Sequence, residues 1–429
     1  MSLTSRRSLR LASLCAATAV AVAACGSGDD SGTVADAAAL DACDPDGVTI
    51  TAMFADQGKV PAEAAKAELE QRHPGLTVDL KLVGTASYDD LTQQMVTDIA
   101  AGSRPDVGMV GLGQVRFWVD RYQPVPLDPD TLPATYDRSY LDAGSVDGVP
   151  YIAPFQVSMA VLYTNTTLAE SAGVTELPDS TSELVDAARA IRATTGNAPV
   201  SLPRDGIADW VAQSFIQSAG VTFVEDDGTA GFDTPEGHEA LSVYSDLAAE
   251  DLIAPVGALD ATELFTTGQL AYLVTSPASA VSIGQAVGDA FEWTVSDFPV
   301  PDGGSPVLPA GGNGWMVLSD DACRAAYANE MITTMLSPQI IADSARQYSY
   351  APVDTQAAEE LAADPLADTP VGYAWRYDGK VTPWGGWHDD NTPRVNTLLT
   401  EMVQRLTNGE PLDTVVPDTT AQIDALVAR

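Results

Sequence analysis

Val48-Thr49-Ile50-Thr51-Ala52-Met53-Phe54 begins the part of the chain whose pattern decides the fold. Val48, Ile50, Ala52 and Phe54 alternate with Thr49, Thr51 and Met53, the period-two spacing of a strand. Lys59 to Arg72 reads as a helix, with Pro61 tolerated in the first turn because no intrahelical N–H is needed there. His73-Pro74-Gly75 breaks it, and Leu76, Val78, Leu80 and Leu82 alternate as a second strand. Ser87 with Asp90 has the form of a capping box. Tyr88, Leu91, Met95 and Ile99 then mark one face of a helix that stops at Gly102. Asp106-Val107-Gly108-Met109-Val110 is a short buried strand. Strand, helix, strand, helix, strand is the grammar of an α/β fold with parallel pairing.

The same grammar continues downstream. Asp147-Gly148-Val149-Pro150 turns into a strand pair around Tyr151 to Tyr163. Ser180 with Glu183 caps a helix whose inner face holds Leu184, Ala187, Ala188 and Ile191, ended by Gly196. Thr234-Pro235-Glu236 starts another helix, because proline is pre-shaped for the first helical position. Gly311 to Leu318 reads as glycines entering a strand. Asp320 or Asp321 then caps a helix through Leu336, stopped by Pro338. No fixed-period repeat exists, which excludes a solenoid. No Pro/Gly/Ser-rich linker divides the chain, so two lobes would be joined by short crossings within the fold.

Upstream, Arg6, Arg7 and Arg10 precede an apolar run from Leu11 to Ala24. That run is too short for a comfortable membrane span and fits a signal h-region. It ends in Val22-Ala23-Ala24-Cys25, the pattern of a lipobox, whose cysteine is acylated and becomes the new N-terminus. An ordinary cleaved signal is the other reading. Ser5-Arg6-Arg7-Ser8-Leu9-Arg10 also resembles a twin-arginine export signal, and the sequence does not choose between that route and general export. Residues 1–24 are thus expected to be a signal peptide. Residues 25–45, rich in Gly, Ser, Asp and Ala, are expected to be a lipidated flexible tether.

The chain has 429 residues and a net charge of −39, which becomes about −42 once the three arginines of 1–24 are removed. Such a surface repels nucleic acid and anionic lipid. Of four cysteines, Cys43 and Cys323 remain after Cys15 and Cys25 are assigned. An even pair in an oxidising compartment is expected to bridge, with two free thiols as the other reading. His73, His238 and His388 are scattered and no C-x-x-C occurs, so no metal site is expected. An enzyme is not expected, since there is no P-loop, no G-x-S-x-G and no H-E-x-x-H, and no cofactor is expected.

Several motifs, in order, resemble those of extracellular solute-binding protein family 1, the group of carbohydrate-binding components of ABC importers that includes maltose-binding protein. Glu70-Gln71-Arg72-His73-Pro74-Gly75-Leu76-Thr77-Val78 resembles "E-x-x-x-P-G-I-x-V", and Ala101-Gly102-Ser103-Arg104-Pro105-Asp106-Val107 resembles "A-G-x-x-P-D-V". Tyr151 to Pro154 with Leu162-Tyr163-Thr164-Asn165 is similar to "Y-x-x-P…L-Y-Y-N". Phe265-Thr266-Thr267-Gly268-Gln269-Leu270-Ala271 is similar to "F-x-x-G-x-A-A-M". The resemblance implies a two-lobed periplasmic-binding-protein-like fold of type II. Each lobe is a β-sheet flanked by helices, and the ligand cleft lies between them. It places lobe one at 46–154 plus 312–344 and lobe two at 155–311 plus 345–429. Crossings are expected near Phe155-Gln156, Ala310-Gly311 and Tyr348, and the Cys43–Cys323 bridge stays inside lobe one. It further implies a monomeric, lipid-anchored protein on the outer face of the cell membrane that hands a sugar or oligosaccharide to permease subunits.

A sugar site needs aromatic faces for C–H patches and planar polar groups for hydroxyls. Trp384-Gly385-Gly386-Trp387-His388-Asp389-Asp390-Asn391 is the densest such cluster, with Trp375 and Tyr377 just before it. Trp384 and Trp387 are therefore candidate stacking residues. Asp56 and Gln57 follow the first strand, Gln114 follows the strand ending at Val110, and Gln156 lies at a crossing. Asn313 and Trp315 lie in the glycine-rich second crossing, where Trp315 serves equally well as core. Trp210 and Tyr151 are better explained as packing. Where many relatives carry "G-P-W", this chain has Thr275-Ser276-Pro277-Ala278, so one familiar stacking tryptophan is missing. The alternatives to a sugar are a polyol, a glycoside or another small neutral solute on the same scaffold. A secreted glycosidase using paired carboxylates is a distant third, since among 60 acidic residues some pair always exists.

Overall fold

The computed structural model describes residues 39–389 and 391–428. The signal peptide, Cys25 and residues 25–38 of the tether lie outside the described residues, as does Asp390. Nine strands build the two main sheets. β1 is Thr49–Phe54, β2 Thr77–Leu82, β3 Val107–Gly111, β4 Ala153–Ser158 and β5 Val161–Asn165. β6 is Val200–Ser201, β7 Tyr272–Thr275, β8 Trp293–Ser296 and β9 Gly311–Val317.

The first sheet has the order β2-β1-β3-β9-β4. β1 pairs in parallel with β2 (Ile50 opposite Val78) and with β3 (Ala52 opposite Val107). Helices Lys59–Arg72 and Tyr88–Ala100 make the crossovers, as the apolar spacing predicts. β9 runs antiparallel between β3 and β4, with Asn313 opposite both Gly111 and Gln156. The second sheet has the order β8-β5-β7-β6. β5 is antiparallel to both β7 and β8, and β6 is parallel to β7.

Two hydrophobic cores accompany the two sheets. One gathers Ile50, Phe54, Val78, Leu91, Trp118, Phe155 and Trp315; the other gathers Tyr163, Phe215, Phe232, Leu241, Phe265 and Trp387. The chain leaves the first sheet after Ser158, since Gln156 is still paired to Asn313 inside β4. It returns through Ala310 into β9. Part of the C-terminal region rejoins the first core: Val353, Ala357, Leu361, Ala367 and Trp375 all pack there. The sequence reading put that stretch in lobe two.

Local chemistry sets several boundaries. Ser87 Oγ accepts from Asp90 N at 3.2 Å, Ser180 from Glu183 N at 3.3 Å and Thr234 from Gly237 N at 3.1 Å, satisfying first-turn donors. Asp321 caps Ala322–Met335 by accepting from both Cys323 and Arg324. Pro338 does more than end that helix: it occupies the first turn of the next one, Pro338–Tyr348. Gly312 has φ +94°, and a Cβ there would sit 1.8 Å from the Gln156 carbonyl oxygen, so only glycine lets β9 and β4 approach this closely.

A disulfide joins Cys43 to Cys323 across 280 residues, with Cα atoms 5.5 Å apart. It fastens the approach to β1 onto the helix after β9. Tyr327 on that helix donates to the Cys43 carbonyl at 2.9 Å. Both ends of the bridge pack on the first core.

Candidate functional site

The C-terminal ends of parallel strands leave their loops together on one edge of a sheet, where open α/β folds collect ligands. Here β1 runs into the turn Asp56–Gly58, β2 into the loop before Tyr88, and β3 into the turn Leu112–Gln114. These loops form one wall of a cavity of about 320 Å³ through Gln57, Ser87, Tyr88, Asp89, Gly113 and Gln114. The opposite wall comes from elements of the second sheet's core. Ile207 and Trp210 stand at the start of helix Ala208–Ser218, Ser276 and Ala278 follow β7, and Trp384 and Asn396 come from the C-terminal region. Ser158, Gly311, Gly312 and Tyr350 close it at the crossings.

Trp384 is held from three sides. Its indole Nε1 donates to Asp209 Oδ2 at 2.9 Å. Gln213, one turn further along the helix, accepts from Gly385 N at 2.9 Å and donates to the Pro383 carbonyl at 3.0 Å, fixing the backbone on both sides of the tryptophan. Across the cavity the ring lies on Gly113, where a Cβ would come within 2.7 Å of it. The Asp389 amide, further along the same loop, donates to Asp120 Oδ2 at 2.9 Å, a second contact to the first-sheet side. Trp384 and Trp210 lie 5.9 Å apart, tilted by 43°. The Trp210 indole donates to the Pro309 carbonyl at 2.8 Å, and its ring rests on Gly311.

A relay of amides underlies the first wall. Gln57 Nε2 donates to the Ala86 carbonyl at 3.0 Å. Gln156 Nε2 donates to Ser344 Oγ at 2.7 Å and to the Gln57 carbonyl at 3.3 Å. Asn313 Nδ2 then donates to Gln156 Oε1 at 2.6 Å and to the Tyr88 hydroxyl at 3.0 Å. Gln114 Nε2 donates to Asp89 Oδ1 at 2.6 Å, and its Oε1 accepts from Thr92 at 2.7 Å. Burial raises the Tyr88 and Tyr350 hydroxyls above their ordinary value, so both stand as neutral groups. Asp209 is 3 % exposed, and burial pushes its carboxyl up to about 7 against the lowering effect of the Trp384 hydrogen bond.

The sequence candidates separate into three groups. Gln57, Gln114 and Trp384 line the cavity. Gln156 and Asn313, both buried, sit behind it in the amide relay. Asp56, Trp315 and Trp387 are elsewhere. Asp56 is exposed at the turn and outside the lining. Trp315 is fully buried in the first core between Phe54 and Phe155. Trp387 is fully buried in the second core, 5.3 Å from Phe223, where it anchors the loop that presents Trp384. Trp375 is buried too and donates to the Ala345 carbonyl at 3.2 Å.

Sequence reasoning missed Tyr88, Tyr350, Asp89, Asp209 and Asn396, and treated Trp210 as packing. Tyr88 reads from the apolar spacing as part of a helix face, yet its position at the helix start, just past a strand end, is the available signal. Ser276 and Ala278 do line the cavity, so the place where relatives carry "G-P-W" presents a hydroxyl and a methyl. Among the described residues that line the cavity, Asp89 carries the one formal charge and none is Lys or Arg. Among the described residues no group of His, Cys, Asp and Glu is placed to hold a metal ion, and no helix is long and apolar enough to cross a membrane.

A family model described as bacterial extracellular solute-binding protein matches residues 53–342. A putative binding protein of Brucella abortus is 24% identical over 378 residues, covering 86% of this chain and 90% of the relative. The sugar-binding protein MalE of Xanthomonas citri superposes with a TM-score of 0.74 at 20% identity, over 89% of this chain and 98% of that one. UgpB of Mycobacterium tuberculosis, solved with glycerophosphocholine, gives a TM-score of 0.74 at 20% identity over the same shares. At that identity the structural likeness establishes the fold.

Proposed function

The chain belongs to the bacterial extracellular solute-binding protein family, and from that premise we propose that it is the substrate-binding lipoprotein of an ABC importer for a sugar or oligosaccharide. One observation carries the reading: a cavity between two sheets whose walls combine Tyr88, Trp210, Tyr350 and Trp384 with Gln57, Gln114, Ser276 and Asn396. Aromatic faces beside planar amides and hydroxyls are what a polyhydroxylated ring requires. The structural neighbour MalE is a sugar-binding protein, which supports the assignment.

In this reading lobe one is 46–154 plus 312–344 and lobe two is 155–311 plus 345–429, with the stretch around Val353 to Leu361 riding on lobe one. A solute touching both walls stabilises the closed form to the extent of its extra contacts there. Gln57, Gln114 and Trp384 contact it directly, and Gln156 and Asn313 brace Tyr88 and Gln57. Signal cleavage leaves Cys25 acylated, and residues 25–45 tether a monomer to the outer face of the membrane, where permease subunits receive the solute. The protein itself carries out no chemistry.

The test is a thermal-shift screen of the purified full chain against mono-, di- and oligosaccharides, polyols, amino acids and peptides. A solute at a hundred times its Kd stabilises by about 2.7 kcal/mol, which is readily seen. A carbohydrate hit that Trp384→Ala weakens supports the reading, and a hit confined to amino acids or peptides refutes it. A second reading, a non-sugar polar solute on the same scaffold, is favoured by Ser276 and Ala278 standing where a stacking tryptophan is familiar, and by the glycerophosphocholine complex of UgpB.

A further inference from the structure

Two amide oxygens, one on the cavity wall and one just behind it, are buried without a hydrogen-bond partner. Gln57 is oriented by a backbone carbonyl: its Nε2 donates to Ala86 O, so its Oε1 is the free end, and that oxygen is buried without a hydrogen-bond partner. The same logic passes along the relay. The Gln57 carbonyl fixes Nε2 of Gln156, Oε1 of Gln156 fixes Nδ2 of Asn313, and Asn313 Oδ1 is left buried and unpartnered. Both orphaned atoms are acceptors. Asp89 adds a carboxylate on the first wall, where Gln114 occupies one oxygen. Asp209 adds a second carboxyl behind Trp384, facing the indole N–H, with Asp89 and the Tyr244 hydroxyl in its electrostatic surroundings. No Lys or Arg is among the described residues that line the cavity.

A sugar hydroxyl brings one proton beside two lone pairs, so a wholly neutral polyol satisfies such acceptors only in part. An ammonium group brings donors alone, and a positive charge with them. Aromatic rings, which stand here on both walls, attract the same charge through their faces.

We propose, on the basis of the solute-importer reading above, that the preferred solute carries a basic nitrogen, seated as an ammonium at Asp89 beside Trp210 and Trp384 and within the field of the buried Asp209. The ligand class is an amine-bearing sugar or polyol. The acidic surface, with a net charge of −39, concentrates such cations near the cleft and makes their capture salt-dependent. Because burial pushes Asp209 up to about 7, it is only partly ionised near neutrality, and an arriving cation favours its ionisation.

The test compares matched pairs by calorimetry at pH 7.5 on the purified full chain: glucosamine against glucose and N-acetylglucosamine, and N-methylglucamine against sorbitol. Hydrogen bonds to a charged partner exceed neutral ones enough to predict an advantage of about ten-fold or more for each amine. The advantage should shrink in Asp89→Asn, an exposed position that tolerates the change, and in Asp209→Asn, whichever way the affinity for the neutral partner moves. Equal or tighter binding of the neutral partners overturns the proposal while leaving the sugar reading in place, as does an amine preference that both variants retain. Binding of neither member of any pair, with amino acids or peptides binding instead, overturns both.

Discussion

Replacing Asp209 by Asn should make the protein more stable at pH 8 and change it little near pH 4. Asp209 is 3 % exposed at the start of its helix, and burial lifts its carboxyl from 3.8 to about 7, with the negative charge of Asp89 adding to the lift. A carboxyl raised in the folded state holds its proton more tightly there than in the unfolded chain. Its contribution is therefore complete below about 3.8, is lost as pH rises toward about 7, and stays lost above. That interval spans roughly three pH units at about 1.4 kcal/mol each, a ceiling of about 4 kcal/mol. Relaxation and water penetration at a buried site reduce the effective penalty, and roughly 2 kcal/mol is the working magnitude. Asparagine keeps an oxygen for the Trp384 indole, keeps the volume and does not titrate. Guanidinium unfolding at pH 4 and pH 8 measures the difference directly: the variant should gain on the wild type by about 2 kcal/mol between the two. An unchanged difference, or a variant that loses ground at pH 8, would refute the assignment of Asp209 as a buried carboxyl without a compensating cation.

Two tryptophans three residues apart should respond oppositely. Trp384→Ala should weaken binding of the solute found in the screen by about ten-fold or more while costing less stability than Trp387→Ala, read by calorimetry beside a denaturation curve; unchanged affinity would remove Trp384 from the site. Trp387→Ala should cost about 3–5 kcal/mol of stability, because it empties a fully buried volume beside Phe223. A Trp387→Ala protein as stable as the wild type would contradict its burial. Replacing Cys43 and Cys323 together by serine should lower stability by about 2–4 kcal/mol, since the bridge closes 280 residues of the unfolded chain, and leave the affinity unchanged, since both ends lie on one core. An affinity loss exceeding the stability loss would show that the bridge also governs the cleft.

The architecture was legible because its signals are local. The alternation of Val48 to Phe54 and of Leu76 to Leu82, the capped helix after Ser87 and the short apolar run at Val107 each declare an element within ten residues, and parallel pairing follows from their order. Boundaries between lobes are a different kind of fact. Gln156 looks like a crossing from its neighbours, yet it belongs to β4 because Asn313, 157 residues later, pairs with it. Val353 to Leu361 falls in the segment assigned to lobe two and packs on the first core, and nothing in its own composition says so.

The cleft divides along the same line. Trp384 was visible as part of an aromatic, glycine-bearing stretch, and Gln57 and Gln114 as polar residues just past strand ends. What separates Trp384 from Trp387 is not composition, since both sit in the same stretch, but what each meets on the far side of the fold. Trp384 finds Asp209, 175 positions earlier, and the bare backbone of Gly113, while Trp387 finds Phe223 and a closed core. The same holds for Asp209 itself. In the sequence it is one of 60 acids, and its chemistry comes from being buried opposite an indole N–H, with no positive side chain among the described residues of the cavity wall. A site assembled from two sheets owes its residues to the strand-end rule and its selectivity to contacts between segments that the sequence keeps far apart. The unpartnered amide oxygens of Gln57 and Asn313 are of the second kind, which is why the amine test examines the part of the function that the motifs do not carry.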